Sequence, residues 1–268
     1  MRIRWQSFVD PDQNAPYLER LAAYLQEIAE PGTDVEVVGI SPPDRWFGRL
    51  TELRCGVTAV DNALQAEADG FDAFVYGHFQ EPGLYAARSA CRIPVVGLGE
   101  STLHWAAQLG RRLALVSIDP VFTTWHLEQA ELYGLHDRVS DVVGLGATVE
   151  DFAPAFAGDR DAYDRLVRGF TERVLPLVEA GADVIVPAGG LFGLLTATER
   201  DFRVAHAPVV NCVAVTLKCA EIAVRLRALT GLEPSRGPSF SLPAPESVAE
   251  FRHFVKAGRD ATPPRQEV

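Results

Sequence analysis

A histidine three residues ahead of a glutamate, at the end of a short apolar run, is the part of this sequence best suited to chemistry. The stretch Gly70-Phe71-Asp72-Ala73-Phe74-Val75-Tyr76-Gly77-His78-Phe79-Gln80-Glu81-Pro82-Gly83-Leu84 carries the chain from buried residues straight into a glycine, an imidazole and a carboxyl group. An imidazole, with an unperturbed pKa of roughly 6.5, can take up or give back a proton near neutral pH. General acid–base catalysis asks for a group of that kind. His78 and Glu81 are therefore candidate catalytic residues, with Phe79 and Gln80 as candidate substrate contacts. An isolated histidine can also be purely structural, and only its position argues otherwise.

That position comes from the elements around it. A helix pattern over Thr58–Ala68 stops at a glycine, and Ala73–Val75 has the length and residue types of a strand buried on both faces. Ligands in open α/β sheets sit beyond the carboxyl ends of such strands. The sequence then repeats itself. In Gly181-Ala182-Asp183-Val184-Ile185-Val186-Pro187-Ala188-Gly189-Gly190, the residues Gly181, Asp183 and Val186 match Gly70, Asp72 and Val75 without a gap, which sets Gly189 opposite His78. Further on, Ile93–Gly97 leads to a helix near Ser101, and Ala207–Asn211 to one near Val213. Two consecutive strand–turn–helix segments in one order indicate an internal duplication. The amides of Gly189 and Gly190 can approach a ligand closely, and Asn211, at the next strand end, joins the candidate contacts.

Elsewhere, Arg2–Val9 reads as a first strand whose end offers Gln6, Ser7 and Asp10 to a pocket. Helix Tyr17–Ile28, strand Asp34–Ile40 and the loop Ser41–Gly48 follow; the aromatics Trp46 and Phe47 of that loop either line the pocket or cover the fold. Leu84–Cys91 is read as a helix, Pro94–Leu98 as a strand, and Glu100 or Ser101 as the cap of the next helix. Beyond strand Leu113–Ser117, the residues Ser117, Asp119, Thr123 and Thr124 precede helix Trp125–Tyr133. They form either a carboxylate cradle or ordinary helix capping. Strand Asp141–Leu145, helix Asp161–Glu179 and helix Val213–Thr230 complete the second copy. A segment rich in Pro, Ser and Gly, a short helix over Ser247–Lys256 and a polar tail expected to be disordered end the chain.

With 268 residues, 47% of them hydrophobic and 23% charged, the chain can bury a substantial core as an ordinary globular protein. A net charge of −11 argues against a nucleic-acid surface, which depends on Lys and Arg, yet permits an anionic small substrate. Cys55, Cys91, Cys212 and Cys219 show no metal-ligand spacing and read as buried thiols. No apolar run reaches the length of about 18 residues needed for a membrane span, and the chain opens directly into a strand, so no membrane partner and a cytoplasmic location are expected. A homo-oligomer stays open.

The segments "GFDAFVYGHFQEPGLYAARSACRIPVVGLGES" and "GADVIVPAGGLFGLL…APVVNCVAVTLKCAEI" resemble the aspartate/glutamate racemase superfamily, and within it the hydantoin racemase branch, over nearly the whole chain to about Thr230. The resemblance implies an α/β fold of two pseudo-symmetric three-layer lobes with parallel sheets, the first holding residues 1–98 plus about 211–268 and the second 99–210. The substrate would lie in the cleft between them, and no metal or organic cofactor is implied. Such racemases use two cysteines, one at the end of each repeated strand. Here those positions are His78 and Gly189, and Glu81 stands where hydantoin racemases tend to have Asp. The expectation is a cofactor-independent isomerase, decarboxylase or lyase acting by acid–base chemistry on a small carboxylate or cyclic amide, and not a two-cysteine racemase. The alternative is a ligand-binding or regulatory protein on a racemase scaffold.

Overall fold

The computed structural model describes residues 1–44, 47–197 and 199–260. Trp46 and the polar tail from residue 261 onward, both named above, lie outside the described residues. The first half alternates β1 (Arg2–Gln6), α1 (Ala15–Ile28), β2 (Asp34–Val38), α2 (Arg49–Ala68), β3 (Ala73–Tyr76), α3 (Leu84–Ala90) and β4 (Val95–Gly97). Then come α4 (Leu98–Leu109), β5 (Leu113–Ser117), α5 (Phe122–Leu132), β6 (Val139–Gly144), α6 (Val149–Phe156), α7 (Arg160–Glu179), β7 (Val184–Pro187) and α8 (Gly190–Leu195). The hairpin β8 (Arg203–Val204) and β9 (Ala207–Pro208) precedes α9 (Cys212–Thr230) and α10 (Pro245–Asp260).

Apart from the antiparallel β8–β9 hairpin, the described strands form two separate parallel sheets. In the first, ordered β2-β1-β3-β4, Trp5 stands level with Val37 on one side and Val75 on the other. The second, ordered β6-β5-β7, sets Val116 between Val143 and Pro187, and Ile185 on the free side of β7 bridges in parallel to Val209. The same order thus arises twice, as the repeat requires. Every residue of β3, β5 and β7 is buried, because parallel strands are covered by helices on both faces and their sequences run continuously apolar.

One hydrophobic cluster spans both sheets and includes Trp5, Val75, Leu98, Leu115, Val186 and Leu217. A second, with Phe74, Tyr76, Leu84 and Cys91, lies on the other face of the first sheet beneath α2 and α3. Helix α9 packs on α4, β3 and β4, and α10 on α2. No described helix is long and apolar enough to cross a membrane.

Several boundaries differ from the sequence reading, for local reasons. The first strand ends at Gln6 instead of Val9, since the chain turns out of the sheet after Ser7 bonds to Val38. Helix α2 begins nine residues before Thr58, started by the Gly48 amide donating to Asp44 and by the Thr51 hydroxyl donating to the Gly48 carbonyl. Helices α6 and α8 are not among the sequence expectations, and the segment Ala207–Asn211, matched to strand Ile93–Gly97 by the repeat, is reduced to β9 and a single bridge. Helix α4 is entered from Gly97, with Glu100 inside its first turn and not at the cap.

Candidate active site

Residues just beyond the ends of β1, β3, β5 and β7 line one cavity of about 380 Å³. They are Ser7 to Val9 after β1, Gly77, His78 and Gln80 after β3, Ser117 at the end of β5 with Ile118 after it, and Ala188 to Leu191 after β7. Two strand ends come from each sheet. The volume falls at the small end of ligand sites, and its place is the one expected for a parallel α/β sheet. The turn after β3 is narrow: a Cβ on Gly77 would fall 2.0 Å from Trp5 Nε1, so only glycine lets the chain pass the indole.

His78 is held from two sides. Its Nε2 lies 2.8 Å from Glu52 Oε1, and its ring stacks on Phe8 with centroids 4.4 Å apart and planes 10° from parallel. The imidazole keeps 23% of its surface exposed, whereas the Glu52 side chain keeps 9%. Glu52 belongs to the first turn of α2, where a helix dipole favours negative charge. Its second oxygen, Oε2, is buried with no hydrogen-bond partner among the described residues, so the side-chain bonding seen for this carboxylate is directed at His78.

The end of β7 is built alike and furnished differently. Gly189 has extended backbone (φ 165), and a Cβ added there would meet nothing within 4 Å. Neither conformation nor crowding demands glycine at that position. Gly190 beside it is constrained, because its Cβ would come within 2.8 Å of Tyr17 Oη. Cys212 lies behind this turn with its thiol directed at the Gly189 carbonyl, 3.6 Å away. Burial pushes that thiol up to about 12, and no cysteine is among the described residues lining the cavity.

The two remaining strand ends each present a serine. The Ser7 side chain is hydrogen-bonded to Tyr17, whose phenol is raised above its ordinary range by burial. The Ser117 hydroxyl is buried and has no partner. Asp44, Phe47, Phe122, Thr148, Val149 and Glu150 are also part of the cavity wall. Among its described residues are three acids, Asp44, Glu52 and Glu150, and no lysine or arginine.

Of the described residues singled out from sequence, the structure brings Ser7, Phe47, His78, Gln80, Ser117, Gly189 and Gly190 to the cavity, so Phe47 lines the pocket, and the other candidate contacts lie elsewhere. The Gln6 amide is buried, donating to the carbonyls of Ser7 and Gly39 and accepting from Asn62. Phe79 is fully buried, edge-on to His126. Asp10 accepts from the amides of Asp12 and Gln13, and Asp119 accepts from that of Val121. Thr123 and Thr124 lie in the first turn of α5, outside the cavity lining, and no side chain caps that helix. Asn211 caps α9 by accepting from the Ala214 amide and donates to Tyr24 Oη.

Glu81, the second catalytic candidate, is absent from the lining too. It reaches the start of α4, where its oxygens accept from the Glu100 amide at 3.0 and 3.2 Å, from Gln129 Nε2 at 3.1 Å and from the Tyr133 hydroxyl. Burial raises its carboxyl to about 8, against the pull of those hydrogen bonds. It faces a second, more open hollow that shares Glu52 and Gln80 with the first.

Phe8, Tyr17, Glu52 and Phe122 were missed by the sequence reading. One signal was available: Ser7-Phe8-Val9-Asp10-Pro11 and Ser117-Ile118-Asp119-Pro120 are a further repeated pair, and both serines reach the cavity. For Glu52 there was no such signal, since it joins His78 only through the packing of α2.

Comparison with known proteins agrees with this architecture. The family model described as Asp/Glu/Hydantoin racemase matches residues 8–220. A hydantoin racemase of Pseudomonas sp. (strain NS671) is 27% identical over 234 residues, spanning 86% of this chain and 88% of its own length. One from Paenarthrobacter aurescens is 24% identical over 88% of this chain and 95% of its own. Among solved structures, the allantoin racemase from Klebsiella pneumoniae superposes with a TM-score of 0.74 at 24% identity, covering 91% of this chain and 94% of that one. A match over most of the length, joined to the duplicated parallel sheets and the cavity at their strand ends, shows that the chain belongs to the Asp/Glu/hydantoin racemase family.

Proposed function

We propose that this protein is a cofactor-independent enzyme that moves a proton at the carbon next to a carbonyl, using His78 as its one acid–base group. The observation that carries this reading is the contrast within the cavity: a partly exposed imidazole tied to a buried glutamate at one strand end, and open space at Gly189 at the other. Inverting a carbon requires a proton to leave one face and another to arrive on the opposite face. With no titratable group at Gly189, the chemistry is one-sided exchange, decarboxylation or an isomerisation that proceeds through one face. We assign the two lobes as residues 1–98 plus 211–268 and residues 99–210, with the active site between them.

The lining favours an uncharged cyclic amide over a dicarboxylate. Carboxylate recognition ordinarily draws on Arg or Lys, and the described wall offers acids, hydroxyls and the aromatics Phe8, Phe47 and Phe122 instead. The hydantoin racemases among the relatives support the same class. A ligand-binding protein without chemistry is less well supported, because an imidazole kept as a relict would have no need of a buried acid and an open face.

The test is to incubate the protein in deuterium oxide with single enantiomers of 5-substituted hydantoins and of 2-substituted carboxylates, following the α-proton by NMR and the optical rotation. Deuterium uptake or carbon dioxide release without rapid loss of optical activity is the expected result. Fast interconversion of both enantiomers would overturn the one-base reading.

A further inference from the structure

Glu52 does more than neighbour His78, and this inference rests on the function proposed above. With Nε2 engaged by Glu52 and the ring plane set by Phe8, the imidazole has little freedom to flip. Its other nitrogen, Nδ1, makes no hydrogen bond with any described residue and is not among the buried unpartnered atoms, while the residue lines the cavity. We infer that Glu52 is a positioning residue: it accepts the Nε2–H of His78, fixes that tautomer, and so presents the lone pair of Nδ1 to the substrate.

The proton then moves in a balanced step. The substrate C–H bond breaks, its electron pair stays on the substrate as an enolate, and the proton joins Nδ1. The resulting imidazolium carries one positive charge beside the Glu52 carboxylate, which keeps its own charge throughout. Reversal returns a proton, or a solvent-derived deuteron, to the same face. Partners that orient a metal-bound histidine through its second nitrogen contribute about 10–100-fold, and an effect of that order is expected for this imidazole. Here the orienting oxygen belongs to a carboxylate whose other oxygen has no hydrogen-bond partner among the described residues, so none of them competes for the interaction.

The tautomer can be read without any substrate. Long-range ¹H–¹⁵N correlation spectra of protein labelled at histidine, recorded above the imidazole titration range, should show His78 as a single Nε2–H form. Glu52→Leu, which removes the acceptor, should give a mixture of tautomers, and Glu52→Gln, which keeps an acceptor without charge, an intermediate spectrum. With a hydantoin that exchanges, Glu52→Leu should lower kcat by about 10–100-fold with KM little changed. His78 in the Nδ1–H form in the unaltered protein, or a spectrum unmoved by Glu52→Leu, would refute the assignment. An intact Nε2–H signature with no exchange on any probe would support the placement of Glu52 and count against the proposed function alone.

Discussion

The turns after β3 and β7 start from the same backbone plan and end with opposite contents. At the first, His78 is stacked on Phe8 and tied to Glu52. At the second, Gly189 occupies the matching position with nothing within 4 Å of where a Cβ would stand. Three residues beyond each, the chain places Glu81 in one copy and Phe192 in the other. Glu81 is hydrogen-bonded at the start of α4, and Phe192 stacks on Phe170 with centroids 3.7 Å apart. Duplication thus preserved the frame while the two ends became unequal, with an imidazole tied to a carboxylate at one and open space at the other.

The largest expected effect removes the active end. His78→Gln should lower exchange by about 10²–10⁴-fold, the range for a positioned acid or base, measured as deuterium uptake per unit time. Gln keeps a donor for Glu52, so the fold should persist. His78→Ala should add a stability loss of about 1–3 kcal/mol, because it leaves the buried Glu52 carboxylate without a partner; urea unfolding of the two variants side by side separates these effects. If His78→Gln exchanged as fast as the unaltered protein, the two ends would be chemically equivalent and the comparison would fail.

Next in size is a contrast between glycines. Gly77→Ala forces a Cβ into the Trp5 indole and should cost about 3 kcal/mol or more. Gly189→Ala meets no obstacle in backbone or neighbours and should be neutral or stabilising by about 0.4–1 kcal/mol. Equal losses in denaturant titrations would mean that Gly189 is structural after all and that its open space has another cause.

How much of this was legible in the sequence follows from which interactions are local. The buried strands Ala73–Tyr76 and Val184–Pro187 announced themselves as continuous apolar runs, and the match of Gly70 with Gly181 carried His78 and Gly189 to the correct ends. The first two turns of α2 were hidden because Leu50 and Leu53 are 81% and 63% exposed, which breaks the amphipathic pattern that marks a helix. Glu52 was lost with them. Asn211, a candidate ligand contact in the sequence, caps α9, because capping and substrate-binding residues are the same types and only the path of the backbone distinguishes them; for Asp119, Thr123 and Thr124 the sequence leaves both readings open, and all three lie outside the cavity lining.

A smaller effect concerns Glu81, an acid at the β3 end with no counterpart in the second copy. Burial disfavours the charged form and pushes its carboxyl up to about 8, from an ordinary value of 4.5. A raised acid pKa stabilises the fold fully below about 4.5 and loses that stabilisation as pH rises to about 8, by no more than about 1.4 kcal/mol for each pH unit. Glu81→Gln keeps a neutral group of similar shape at the start of α4. The difference in melting temperature between it and the unaltered protein should therefore shift in favour of the variant as pH climbs through that window. A difference independent of pH would show that Glu81 is ionised in the folded state.

The smallest change tests the empty end directly. Gly189→Cys places a thiol in open space, on extended backbone that any residue adopts, so the fold should be retained within about 0.5 kcal/mol. It should nonetheless fail to create a racemase. Two-base inversion needs both groups at matched pKa and at reach of opposite faces of one carbon, and His78 is oriented by Glu52 for its own face. The described wall also offers the new thiol no lysine, arginine or second histidine to favour its thiolate. Exchange at the His78 face should persist at close to its original rate for small substrates and fall for those whose substituents extend toward residue 189. Polarimetry on a single enantiomer, paired with deuterium uptake, distinguishes the outcomes: uptake without loss of rotation leaves the two ends unequal, whereas racemisation by this one substitution would mean that the second end had kept everything but its thiol.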